Sequence, residues 1–409
     1  MATVLVIGTL DTKGPESRYL KERIEALGVR TLVLDSGILG EADGIVPDYP
    51  RQDVAKAAGH TIDELRNAGS RGKAVERMLI GVRKIALDLF AKKEIHGVVA
   101  LGGAEGSVLA TAAMKALPLG IPKLVVSPIA SGRRHFGPFV GTRDVLVMHS
   151  VVDILGLNSV STSVFDNAAA AISGMARSYE SQAGQPTKVV KKQIAATMLG
   201  NTTRPLMSIK KQLEPRGFDL VIFHANGVGG PAMEELIDDG HFKGVIDYTL
   251  SELAGQEAGG FHVGGENRLA AAGNAGIPQV VVPGCVDFIV FGPKDEVPEK
   301  FRGRPSYYHN PEFTLVRVSG DEQLRIARRM AAKLNPSKGR VSVLIPLRGL
   351  SIPNHEKGGE FWDPVADAAF RKELKSALNP EIEVREIDAH INDESFATAV
   401  LDKANELFK

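Results

Sequence analysis

The chain has 409 residues, 49 Lys+Arg against 49 Asp+Glu, 44% hydrophobic and 24% charged residues. That length implies two or three domains, that composition excludes a disordered chain, and a formal charge of zero leaves no electrostatic footprint for nucleic acid. One cysteine, Cys285, excludes an internal disulfide and any multi-cysteine metal site.

The start, MATVLVIGTLDTKG, reads as a buried strand without the charged n-region of a secretory leader. No apolar run is long enough for a membrane-spanning helix, so a cytoplasmic protein with no membrane partner is expected. Further strands are predicted at 30–35, 96–101, 123–126 and 145–148, all rich in Val, Ile and Leu without polar alternation. Continuous apolar runs are what strands buried on both faces look like, so the pattern predicts a parallel sheet between helix layers. Helices are predicted at 15–26, 75–92 and 104–116. Residues 43–72 break the pattern, being polar with two prolines. They read as an insertion, either an arm to another subunit or a solvated decoration, within a helical stretch spanning 43–92.

The polar segment SQAGQPTK at 181–188 marks a domain boundary, giving an N-terminal domain at 1–184 and a C-terminal one at 185–409. A second series of strands follows at 193–199, 219–224, 245–248, 279–282, 314–318, 341–346 and 383–387. The fold class is therefore α/β: two Rossmann-like domains with mostly parallel sheets and a cleft between them. An internal echo pairs VLVIGTLDTKGP (4–15) with AATMLGNTTRP (195–205), and GVVALGGAEGS (97–107) with LVIFHANGVGG (220–230).

Each glycine cluster follows a predicted strand and opens a predicted helix. In a parallel sheet, ligands bind beyond the carboxyl ends of the strands, and free amides at a helix start favour anions. Gly102, Gly103, Gly106 and Ser107 form one candidate cradle for phosphate or carboxylate. Gly8, Thr9, Asp11, Thr12 and Lys13 form another, in which Lys13 suits a phosphate and Asp11 a magnesium water or a ribose hydroxyl. A bend plugged by a side chain could serve neither purpose. Helix capping alone would explain Asp11 or Thr12 but not the set. A P-loop is absent, because Arg71-Gly72-Lys73 lacks the spacing.

In the second half, Gly227, Gly229, Gly230 and Ala232 fit G-x-G-x-x-A, with Asp247 about 20 residues on, as in a dinucleotide site. The same turns look equally like close packing. Asn201, Thr202, Thr203, Asn226, Cys285 and Asp287 follow predicted strands and could hold a substrate, with His224, Glu252 and Arg348 as a catalytic set. The histidines are scattered and HExxH is absent, so no metal site is predicted.

Taken in order, IGTLDTKGPE, GSRGKAVERM, LGGAEGS, VGTRDVLVMHSVVDILGLN, GNTT, FHANGVGGPAMEEL, PQVVVPGCVDF, FGP, PLRGLS and FWDPVADAAF resemble a family of bacterial and fungal proteins similar to the N-terminal half of the plant tobamovirus-resistance protein. The resemblance implies two α/β subdomains, ATP binding and a homo-oligomer, but no particular reaction. Glu105, in a turn where smaller residues are common, departs from the pattern, as do the residues around 250 and HVGGENRL at 262–269. Three functions follow as expectations. The first is binding of a nucleotide, ATP with magnesium, at Gly102–Ser107 and Gly8–Lys13, with Arg71 assisting from the same or a neighbouring subunit. The second is a metabolic enzyme acting on a small carboxylate or sugar acid. The third is a non-catalytic oligomeric inhibitor or assembly protein.

Overall fold

The computed structural model describes residues 1–130, 137–182 and 191–408. They divide into two units, Met1–Thr187 and Lys188–Lys409. The boundary predicted at 184/185 lies outside the described residues.

In the first unit the apolar runs become β1 (Thr3–Gly8), β2 (Arg30–Asp35), β3 (Gly97–Leu101), β4 (Lys123–Ser127) and β5 (Leu146–His149). They pair in parallel in the order β2-β1-β3-β4-β5. The helices are α1 (Leu10–Ala26), α2 (Arg51–Ala57), α3 (Ile62–Arg66), α4 (Arg71–Ala91), α5 (Ala104–Ala116), the single turn α6 (Gly137–Val140) and α7 (Ser159–Gln182). The pleat sends Val4 and Val6 toward α1 and α7, where Leu20, Ile24, Phe165 and Ile172 meet them. Leu5 and Ile7 point the other way, into a core closed by α2 to α5.

The polar stretch 43–72 is not a solvated decoration. Val54, Ala55, Ile62 and Leu65 are buried in that second core, and Tyr49 bridges to Leu34 on β2. Gly81 lets α4 approach: a Cβ there would lie 1.9 Å from the Val54 carbonyl oxygen.

The second unit contains β6 (Lys192–Met198), β7 (Phe218–His224), β8 (Gly244–Thr249), β9 (Gln279–Gly284), β10 (Phe288–Phe291), β11 (Ser306–Asn310), β12 (Phe313–Arg317), β13 (Val341–Pro346) and β14 (Glu383–Ile387). Six form a parallel sheet ordered β14-β13-β9-β8-β6-β7. The run expected at 314–318 is not among them. It becomes β12, the centre of an antiparallel sheet β10-β12-β11 whose outer strands were not predicted. The helices are α8 (Thr203–Leu213), α9 (Gly229–Asp238), α10 (Ser251–Ala258), α11 (Ala271–Ala275), α12 (Gly320–Leu334), α13 (Pro364–Ala377) and α14 (Glu394–Leu407). Helices α8 and α14 close one core, while α10, α12 and α13 close another.

Counting only the strands of each parallel sheet in chain order, the first reads 2-1-3-4-5 and the second 2-1-3-4-5-6. The first echo is therefore topological, since β1 and β6 occupy the same place. The second is not. It joins β3 to β7, whereas the counterpart of β3 is β8; β7 is an edge strand like β2.

Candidate functional site

In a 2-1-3-4-5 sheet the connections after the first and third strands leave toward opposite faces, and a crevice opens between them at the carboxyl ends. In the first unit that place holds a cavity of about 390 Å³. Thr9, Asp11, Thr12 and Lys13 enter it from the β1 bend, Gly103 to Gly106 from the β3 bend, Gly37 to Leu39 from beyond β2, and Arg71 from the start of α4.

Helix α5 begins there without a cap: its N-cap residue, Gly103, has no side chain to accept from the first turn, and no other side chain among the described residues does so. The amides of Ala104, Glu105 and Gly106 therefore present unsatisfied donors and the positive end of a 13-residue helix to the cavity. A Cβ on Gly103 would meet nothing within 4 Å, so the bend is open. Gly8, Gly102 and Ser107 shape the site rather than line it. A Cβ on Gly102 would lie 2.8 Å from the Gly106 backbone, and one on Gly8 would lie 2.7 Å from Ser17 Oγ. Ser107 Oγ donates to the Gly102 carbonyl at 3.0 Å and meets Ser127 Oγ at 2.9 Å.

The β1 bend is partly satisfied from within. Asp35 Oδ1 accepts from the amides of Leu10 at 3.1 Å and Gly37 at 2.9 Å, and burial pushes its pKa up against those two bonds. Lys13 Nζ donates to the Ile154 carbonyl. Asp11 Oδ2 accepts from Gly40 N at 2.9 Å, and among the described residues nothing donates to its Oδ1. Arg71 reaches Glu105 of its own chain with a side chain 75% exposed, so the Glu105 carboxylate, which alone would repel a phosphate, is matched by an exposed cation.

In the second unit the glycine turn between β7 and α9 is plugged. Arg268 is fully buried among Asp247, Glu252 and Glu234. Glu252 Oε1 accepts from Gly227 N at 2.8 Å and Gly230 N at 3.1 Å, and Arg268 Nε donates to its Oε2 at 2.7 Å. A carboxylate of the protein thus occupies the start of α9. A Cβ on Gly230 would lie 1.8 Å from Glu252 Oε2, and one on Gly229 2.2 Å from the His224 carbonyl oxygen. The dinucleotide-like spacing serves close packing, and Asp247 is spent on Thr197 Oγ1 at 2.6 Å and Arg268 Nη2 at 2.7 Å rather than free for a ribose. Burial raises the pKa of Glu234, with Arg268 opposing it.

A cavity of about 260 Å³ opens elsewhere in this unit, beyond β6 and β7. Asn201, His224 and Asn226 line it together with His262, His309, Asn310 and the β10-β12-β11 sheet. His262 is held neutral, its pKa pushed down to about 4 by burial and by the facing His224.

Two domains of the Uncharacterised protein family (UPF0261) match this sequence, the N-terminal one over residues 2–181 and the C-terminal one over residues 191–408. The chain belongs to the UPF0261 family. A UPF0261 protein of Clostridium tetani is 40% identical over 98% of this chain and 97% of its own, and one of Rhizobium meliloti is 38% identical over 98% of each. The ToMV resistance protein Tm-1 of Solanum lycopersicum is 33% identical over 99% of this chain and 55% of its own. The UDP-GlcNAc 2-epimerase structure from Methanocaldococcus jannaschii aligns over 99% of this chain and all of its own at 12% identity, with a TM-score of 0.24, too low to bear on fold or ligand.

In this UPF0261 chain the proposed catalytic set does not assemble. His224 lines the second cavity, Glu252 is buried on Arg268, and Arg348 is exposed in a bidentate pair with Asp388 at 2.8 Å. Thr202 Oγ1 bonds Thr249 Oγ1 at 2.8 Å in the core, and Thr203 Oγ1 donates to the Leu199 carbonyl at 3.3 Å. Cys285 is buried, with burial pushing its thiol pKa well up, so it has neither access nor thiolate character. Asp287 is buried against Ser351 Oγ at 2.6 Å and Arg317 at 3.4 Å. Among the described residues no cluster of three or more His, Cys, Asp or Glu is placed to hold a metal, and no helix is long and apolar enough to cross a membrane. Sequence reasoning passed over His262, His309 and Asn310. The last two lie on β11, where tyrosines followed by Asn310-Pro311 and a second β-prone run carried a hairpin signal.

Proposed function

We propose that the first unit binds a nucleoside triphosphate, ATP foremost, with its phosphates on the first turn of α5. One observation carries the reading: an uncapped helix start, kept open by Gly103, faces a cavity at the β1/β3 crossover. Arg71 exchanges Glu105 for a phosphate oxygen, and the hydroxyls of Thr9 and Thr12 donate beside it. Ile38 and Leu39 provide an apolar strip for the base. A magnesium ion would neutralise phosphate charge and take most of its ligands from phosphates and water, with Asp11 Oδ1 as the free carboxylate oxygen.

The test is calorimetry with ATP on wild type and Gly103→Val. The added side chain projects into open space, so the fold survives while the phosphate seat fills. Binding by wild type and its loss in the variant, with circular dichroism unchanged, is the expected result. Equal affinity in both proteins removes the site.

A further inference from the structure

The second unit's cavity has a one-sided polar lining. Asn201 Oδ1 accepts from Ile352 N at 3.1 Å, Asn226 Oδ1 from Val228 N at 3.2 Å and Gly229 N at 3.4 Å, and Asn310 Oδ1 from Glu312 N and Phe313 N, each at 2.9 Å. A backbone N–H pointing at a side-chain amide identifies the oxygen end, so in all three residues the NH2 end is what remains. Asn201 is only 6% exposed, and among the described residues its Nδ2 has no hydrogen-bond acceptor, so this donor is left to the cavity that its residue lines. His262 Nδ1 is buried and has no partner among the described residues. A buried lone pair without a donor is a cheaper orphan than a buried N–H without an acceptor, which puts the imidazole proton on Nε2 and adds a further donor. Among the described residues no Asp, Glu, Lys or Arg lines the cavity, and Leu199, Val290 and Leu315 form an apolar wall.

We propose that this cavity binds a small organic carboxylate of a few carbons, its oxygens on the asparagine NH2 groups and its carbon chain on the apolar wall. The asparagines set the balance between ligand classes: their three NH2 groups are donors, and besides His262 the ring nitrogens of His224 and His309 are the other polar side-chain atoms of the wall among the described residues, whereas a carboxylate brings acceptors only. A polyol brings hydroxyl donors as well, which would find the asparagine oxygens already taken and lose hydrogen bonds held in water. Inorganic phosphate matches the donors but leaves the apolar wall uncovered. The proposal does not depend on nucleotide binding by the first unit.

The experiment uses the full chain without nucleotide, in calorimetry and thermal melting at constant ionic strength. Acetate, pyruvate, malonate and succinate are compared with glycerol, propionamide and inorganic phosphate. At least one of the acids should bind saturably and raise the melting temperature, while glycerol, propionamide and phosphate do not. Asn201→Asp and Asn310→Asp keep an oxygen for the backbone amides but turn the donor into a charged acceptor, so each should weaken that acid by roughly tenfold or more. Asn310 sits in a turn that aspartate caps equally well, so Asn310→Asp serves even if Asn201→Asp fails to fold. The proposal is overturned if none of the acids binds, if glycerol, propionamide or phosphate binds as tightly, or if Asn310→Asp leaves the affinity of the acid unchanged.

Discussion

His262 is an acid-sensitive residue by construction. Its ring is half-buried, faces His224 and has a buried Nδ1 without a partner among the described residues, so the folded protein keeps it neutral down to about pH 4, while an unfolded chain takes up a proton near 6.5. The folded pKa is depressed, so this contribution is fully present above pH 6.5 and is lost as the pH falls toward 4. Allowing for the ring's partial exposure, the loss is of order 2 kcal/mol. Urea unfolding of wild type and His262→Gln at pH 7.5 and 4.5 should show the smaller acid loss in the variant; equal losses would assign the acid sensitivity elsewhere. Gly230 is the other residue with a sharp expectation. A methyl group there displaces the Glu252 carboxylate and strands Arg268 in the core, so Gly230→Ala should lower unfolding free energy by about 3 kcal/mol or more, read from the urea midpoint. A midpoint within error of wild type would mean the carboxylate has room to retreat. Neither role is visible locally in sequence. Asp247 and Glu252 look like site residues because they sit near and just beyond the end of one strand, and their partner Arg268 comes from a separate loop that only the fold brings back.

Elements buried on both faces were legible because nothing but apolar residues suits them, which is why β1, β2 and β13 begin and end where the hydrophobic runs do. The antiparallel sheet was not, because β11 is largely exposed and polar and β10 is four residues long. The glycine turns were legible as turns, but not as open or plugged, since that depends on what arrives from elsewhere: Glu252 at α9, nothing at α5. The β3–α5 bend tests this distinction within one turn. Gly102→Ala forces a Cβ to 2.8 Å from the Gly106 backbone, which cannot rotate away as a side chain would, and should cost about 2 kcal/mol. Gly103→Ala, one residue on, enters empty space with ordinary extended backbone and should stay within about 0.5 kcal/mol of wild type. Equal effects in urea titrations would show that the bend does not have the described packing.

Each unit closes its own parallel sheet between its own helix layers, with cores drawn from residues of that unit: Leu5 to Val125 in the first, Leu250 to Leu378 in the second. A unit of that size with a complete core meets the ordinary requirement for folding alone. Fragments 1–182 and 191–409 should therefore each unfold cooperatively when produced separately. The proposed ligands should then separate with them. A ligand that binds only the folded state stabilises by an amount set by its excess over Kd, about 2.7 kcal/mol at a hundredfold excess. ATP at that excess should raise the melting temperature of fragment 1–182 and leave 191–409 unmoved, and the carboxylate that binds the full chain should do the reverse. A shift of 191–409 by ATP would place the nucleotide seat in the wrong unit, and the open start of α5 would then need another occupant.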